Sequence, residues 1–328
     1  MNTDYNPAIE ARDLRKRFED VRALDGVSFT VRRGEFFGYL GPNGAGKTTT
    51  INLLTGLARP DAGTIGIDGV DCAHDPRAAQ RLIGVVPDES NLYPELTGFA
   101  NLCFCGALYG MRKEKRRARA EELLGVFGLG DAADRKFAGY SRGMKRRLAI
   151  AAGIIHEPPI LFLDEPTTGI DVSGARQIRR LIAGLHESGT TIFLTTHYIE
   201  EAERLCDRVA FIVSGQIVGI DTVARFIQPV RDKHVLQVSC ANVPDGILQD
   251  LAGSFPALRF QDLSGGVIRV SADSPVPVGS LVRFLEERGA EVTEARRIRP
   301  SLEDVFVRIT GIEAAAMQKE KEKKGGGR

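Results

Sequence analysis

Four short apolar runs constrain this chain more than anything else in it: "FFGYL" (36–40), "ILFLD" (160–164), "TIFLTTH" (191–197) and "VAFIVSG" (209–215). They are rich in β-forming residues and nearly continuous in their apolarity, as in central strands covered on both faces. Helical patterns separate them, and that alternation up to about residue 225 predicts an α/β unit with a parallel sheet. Two of the runs stop abruptly, "ILFLD" at the acid pair Asp164 and Glu165 and "TIFLTTH" at His197. Strand ends at the carboxyl edge of such a sheet line the crevice where ligands bind. A buried strand that ends in paired negative charge is therefore expected to present that charge to a ligand.

The strand "FFGYL" runs straight into "GPNGAGKTTT", which fits G-x-x-x-x-G-K-[ST] with Gly41, Gly46, Lys47 and Thr48. Glycines let backbone N–H groups turn inward around a phosphate, and the following helical "KTTTINLLTGL" aims its N-terminus at the same anion. The whole stretch is expected to contact nucleotide phosphates: Gly41, Pro42, Asn43, Gly44, Ala45, Gly46, Lys47, Thr48 and Thr49. Lys47 can reach the terminal phosphates, and the Thr48 hydroxyl can ligate Mg²⁺. Asp164 would then hold the metal through water, and Glu165 would polarise an attacking water. The plainer alternative is a glycine-rich turn plus two acids that cap "EPTTG"; the two motifs together favour hydrolysis.

At 328 residues the chain is long enough for two domains. Net charge is +1, so no strong nucleic-acid field is indicated. The five cysteines are scattered, without the second pair a zinc site needs, and read as reduced thiols. No stretch is apolar for the ~18 residues of a membrane span, and the N-terminal segment lacks the apolar region of a signal peptide. Residues 90–158 read as a helical insertion in the α/β core. After a composition shift, residues 229–312 show a strand and helix order βαββαβ, the split ferredoxin-like pattern. The expected organisation is a domain over 1–228, a small α+β domain over 229–312, and a disordered charged tail over 313–328.

These motifs, in this order, make residues 8–225 resemble the nucleotide-binding subunit of an ATP-binding-cassette (ABC) transporter, with a P-loop NTPase fold. The resemblance implies an ATPase that dimerises around two Mg·ATP and drives a separate membrane-spanning subunit from the cytoplasmic face of the membrane. "YSRGM" matches the family's signature segment, so Ser141 and Gly143 would complete the site on a second copy, most simply an identical chain. Ser141 is equally a good N-cap for the helix that follows. His197 stands where the family has its switch histidine, and Asp171 in "TGID" matches the loop that crosses the dimer interface. Phe18 corresponds to the aromatic that stacks on adenine, with a core position as the competing reading.

Two residues depart from the family pattern. Asp88 stands where relatives carry a glutamine that touches Mg²⁺ and links to the membrane subunit; a carboxylate can still ligate the metal. Arg142 replaces the first glycine of the signature run, and its guanidinium is itself a phosphate ligand by type. The basic run "MRKEKRRARAEELL" reads as a solvated helix face, with acidic lipid headgroups the alternative. Leu92, Tyr93 and Phe99 are candidates for docking a helix of the membrane partner, or else for core. The ending "RPSLEDVFVRITG" (299–311) resembles drug-resistance exporters of the daunorubicin type, which favours efflux. A soluble ABC ATPase acting on ribosomes or DNA stays open as the alternative. Ribosomal members usually carry two cassettes and DNA-repair members a long coiled-coil insertion, and neither is seen here; no nucleic acid is expected.

Overall fold

The computed structural model describes residues 7–231, 234–244, 246–263, 265–298 and 301–312. The tail expected over 313–328 lies outside the described residues. The chain divides into two compact units between Thr222 and Val223, earlier than the 228/229 boundary expected from composition, which falls inside a helix, Val223–Arg231.

The first unit begins β1 (Ile9–Phe18), β2 (Val21–Val31), β3 (Phe36–Leu40), α1 (Lys47–Leu54), β4 (Ala62–Ile67), β5 (Val70–Asp71), α2 (Pro76–Arg81) and β6 (Ile83–Val86). Three helices follow, α3 (Gly98–Leu108), α4 (Lys113–Val126) and α5 (Arg142–Gly153). It closes with β7 (Ile160–Asp164), α6 (Val172–Glu187), β8 (Thr191–Thr196), α7 (Ile199–Leu205), β9 (Arg208–Val213) and β10 (Gln216–Thr222). The central sheet has the order β10-β9-β3-β8-β7-β6. All its pairs are parallel except the edge pair β9–β10. Every residue of β3, β7 and β8 is buried, which is why these strands are continuous apolar runs rather than alternating ones.

A second sheet, order β2-β1-β4-β5 and antiparallel throughout, was not legible in advance. On β1 the residues Ile9, Ala11 and Leu14 are buried. A register shift between Ala11 and Leu14, with Asp13 at φ 48°, breaks the two-residue period that would have announced the strand. Phe29 on β2 packs against Phe37, Tyr39 and Phe193 at centroid separations of 5.6, 5.6 and 5.8 Å, so the two sheets share one aromatic core.

The second unit comprises α8 (Val223–Arg231), β11 (His234–Ala241), α9 (Ile247–Ser254), β12 (Arg259–Asp262), β13 (Val267–Ala272), α10 (Val278–Glu287), β14 (Glu291–Ile298) and most of α11 (Leu302–Thr310). Its sheet has the order β12-β13-β11-β14, each pair antiparallel. Leu236, Val238, Ile268 and Val270 alternate onto one face and pack with Leu251, Leu281 and Leu285 of the helices. Among the described residues no helix is long and apolar enough to cross a membrane.

Candidate active site

The loop between β3 and α1 is shaped by two glycines. Gly46 has φ 104°, and a Cβ there would meet the Ala23 carbonyl oxygen at 2.6 Å; a Cβ on Gly41 would come within 2.1 Å of the Ile212 carbonyl oxygen. The chain thus turns tightly between β2 and β9 and enters α1 at Lys47. Lys47 is buried, and its Nζ donates to the Gly41 and Pro42 carbonyl oxygens at 2.7 and 3.2 Å. The lysine arches back over its own loop.

The end of β7 meets this loop directly. Thr48 Oγ1 donates to Asp164 Oδ2 at 2.9 Å, and Thr195 at the end of β8 donates to Asp164 Oδ1. Glu165 sits at φ 48°, a left-handed turn that swings its side chain toward Lys47, with Oε1 3.3 Å from Nζ. That contact is an ion pair rather than a hydrogen bond, and Oε1 is buried without a hydrogen-bond partner among the described residues. Glu165 Oε2 accepts from Thr168 Oγ1 at 3.1 Å and lies 2.8 Å from His197 Nδ1. An ionised Glu165 therefore places the histidine proton on Nδ1.

Although adjacent, the two carboxylates are driven apart. Burial pushes Asp164 above the ordinary carboxyl range, opposed by the Thr195 and Thr48 hydroxyls. Burial also pushes Glu165 up, but the His197 hydrogen bond and the Lys47 charge outweigh it, and Glu165 ends below its ordinary range. Glu165 is thus held ionised, as a proton acceptor must be. The buried Nδ2 of Asn43 in the loop also has no hydrogen-bond partner among the described residues. A free donor in the glycine-rich loop and a free acceptor on Glu165 fit a phosphate oxygen and a water proton respectively.

Residues 24–168 match the family profile described as ABC transporter. The chain is 36% identical over 312 residues to the daunorubicin resistance ATP-binding protein DrrA3 of Streptomyces coeruleorubidus, covering 93% of this chain and 96% of the relative. It is 38% identical to the Nod factor export ATP-binding protein I of Burkholderia lata, covering 93% of this chain and 97% of that one. The chain belongs to the ABC transporter family. Among solved structures it is similar to an ATP-binding subunit of an ABC transporter, with TM-score 0.62, 31% identity, and 68% of this chain and 93% of that one covered. It is also similar to a dimeric ATP-binding cassette in a post-hydrolysis state bound to ADP and Pi, with TM-score 0.60, 29% identity, and 65% and 98% covered. As a member of this ABC family the chain is an ATPase with a P-loop NTPase fold.

Ser141, Gly143 and Asp171 come together in a surface cleft with Arg142, Gly169 and Gln177, and the phosphate loop does not line it. Two helices begin there. Ser141 caps α5 by accepting from the Met144 N–H at 3.3 Å, and Asp171 caps α6 by accepting from the Gly174 N–H at 2.8 Å. The Arg142 guanidinium lies over Gly169, so close that a Cβ there would approach it to 2.6 Å. Phe18, at the end of β1, is 49% exposed beneath Lys16 Nζ at 5.3 Å, which removes the core reading. Leu92 is buried and belongs to the packing, Tyr93 is half exposed and meets Phe104 edge-on at 5.0 Å, and Phe99 lies under Arg117 at 4.9 Å.

Sequence reasoning missed four polar residues at this site. Thr195, Thr168 and Glu201 are tied to the strand ends, but threonines beside a motif and a glutamate on a short helix carry no pattern of their own. Arg146 hides in the basic run of α5, yet it is buried, donating to the carbonyl oxygens of Asp164 at 2.5 Å, Pro166 at 2.9 Å and Asp88 at 3.2 Å. Burial lowers its pKa, opposed by Asp88, Asp164 and Glu165. It pins the loops after β6 and β7 onto the signature helix, and only the fold identifies it.

Proposed function

We propose that this chain is the ATP-hydrolysing subunit of an exporter, acting as a homodimer on the cytoplasmic face of the membrane and driving a separate membrane-spanning subunit. The observation that carries the hydrolytic part is the convergence of two sequence-distant segments, Thr48 on Asp164 at 2.9 Å and Lys47 on Glu165 at 3.3 Å. Lys47 and the amides of Gly41–Thr49 hold the phosphates, with Phe18 stacked on adenine. Glu165 accepts a proton from the water that attacks the γ-phosphorus; the bond to the β-phosphate bridging oxygen breaks, and ADP and inorganic phosphate leave. His197 holds Glu165 and contacts the γ-phosphate. Ser141, Gly143 and Asp171 serve the nucleotide on the second copy, which agrees with their place in a separate cleft.

The Thr48 hydroxyl and the Asp164 carboxylate, with Asp88 in the loop after β6, are hard oxygen donors that suit Mg²⁺, which when bound neutralises developing phosphate charge. Export is supported by the names of the relatives, which concern drug resistance and Nod factor export. The second unit, with its βαββαβ order and sheet order β12-β13-β11-β14, is read as a ferredoxin-like module. Purification from detergent extract tests the partner: recovery of a multi-span membrane protein supports this reading, and recovery of ribosomes instead overturns it. Phosphate release from ATP by the purified chain tests the chemistry, and its absence in both the free chain and the recovered complex refutes hydrolysis.

A further inference from the structure

Glu201 on α7 is buried at 3% exposure, and its carboxylate is bonded to Thr167 and Thr196 rather than to the phosphate loop or Asp164. A carboxylate taken out of water costs free energy unless its oxygens are bonded, and both are. Oε1 accepts from Thr167 Oγ1 at 3.0 Å, and Oε2 accepts from Thr196 Oγ1 at 3.1 Å. Thr167 lies two residues after Glu165, and Thr196 lies one residue before His197.

Each threonine continues toward a site residue. The Thr196 hydroxyl also accepts from the Tyr198 N–H at 3.0 Å, so the turn carrying His197 is held on both sides. Next to Thr167, Thr168 donates to Glu165 Oε2 at 3.1 Å, the oxygen that faces His197 Nδ1. The contacts close a ring through Glu165, Thr168, Thr167, Glu201, Thr196 and His197. Glu165 also needs such restraint, because its φ of 48° is a strained conformation for a residue with a side chain and persists only where the surroundings over-determine it. Of the charged groups that act on Glu201, Arg179 on α6 attracts and Glu165 repels.

We propose that Glu201 is a positioning residue that sets the mutual placement of Glu165 and His197 by tying the loop after β7 to the end of β8. The proposal rests on the assignment of Glu165 as the base. Glu201 itself meets no substrate, so its removal acts on turnover rather than on binding.

The test measures kcat, KM and ATP affinity of the full chain carrying Glu201→Ala, Glu201→Gln, Thr167→Val or Thr196→Val. Misplacing a reacting group by about 1 Å can cost on the order of 10²-fold. Glu201→Ala is expected to lower kcat by roughly tenfold to a hundredfold with ATP affinity unchanged. Glu201→Gln, which keeps one acceptor oxygen and can donate to the other threonine, should recover much of that loss. Each valine variant should show part of the effect, and neither should add to Glu201→Ala, as expected for one connected unit. Should Glu201→Ala fail to fold, the two valine variants carry the test alone. Wild-type kcat in Glu201→Ala, or in both valine variants, overturns the inference, as does a parallel fall in ATP affinity. Glu165→Gln separates the failures: if it keeps wild-type turnover, the base assignment falls and the ring has no base to position. If it is inactive while Glu201→Ala is fully active, only the positioning role falls.

Discussion

The two units bury different chemistry. In the first, Lys47, Arg146, Asp164, Glu165, His197 and Glu201 are all buried, gathered at the carboxyl ends of β3, β7 and β8. In the second, the buried residues among those described are apolar, with Leu236, Val238, Val270, Leu281 and Phe306 almost wholly inside. Burying charge costs stability unless every group is paired, so a unit that does so at one sheet edge is a candidate to hold a site, whereas the buried residues of the other supply apolar packing. Both contain a sheet covered by helices. Only the parallel one brings several strand ends to a common edge.

Substitutions in the two units should therefore separate activity from stability, and the largest effect is expected at the base. Glu165→Gln should reduce phosphate release by about 10²- to 10⁴-fold while ATP still binds and a nucleotide-bound dimer accumulates, measured by light scattering. Leu281→Ala, in the apolar core of α10, should cost about 2–5 kcal/mol of unfolding free energy, read from denaturant transitions, with phosphate release at the wild-type rate. A loss of turnover matching the loss of stability would break the contrast between the units. Lys47→Ala removes a charge-assisted contact worth about 1.5–3 kcal/mol, and calorimetry should show ATP affinity falling accordingly.

The smallest expected effect is a shift in pH dependence. Glu165 lies below its ordinary range because His197 and Lys47 outweigh burial. Its ionised form therefore survives to lower pH, and the stability it contributes is present above the ordinary carboxyl range and lost as pH falls through the lowered value. His197→Ala removes the hydrogen bond that most strongly opposes burial, so the acid limb of whatever phosphate release remains should move to higher pH. An acid limb that stays in place would mean that Lys47 and the Thr168 hydroxyl hold Glu165 ionised without the histidine.

Legibility differed sharply between elements. The strands β3, β7, β8 and β9 could be read because burial on both faces demands unbroken apolar runs. The phosphate loop could be read because a tight anion-binding turn demands glycine at particular offsets. The antiparallel sheet of β1, β2, β4 and β5 escaped notice because the irregular register of β1 interrupts its alternation and its outer face is charged. At the site, Lys47, Thr48, Asp164, Glu165 and His197 were legible as motif residues, whereas Arg146, Thr195 and Glu201 were not. Their work is to bind backbone and side chains that are distant in sequence, and such a partner leaves no local signature.

The amino-acid order alone determined which segments become central strands and which residues are candidates for the phosphate and acid chemistry, because both follow from local patterns of burial and turn geometry. The tertiary structure decided which of those residues touch, that Glu165 is held ionised beside a buried Asp164, and that Ser141 and Asp171 face a separate cleft. Those facts depend on distances between segments well separated along the chain, by 32 residues for Glu165 and His197 and 116 for Thr48 and Asp164, and only packing sets them.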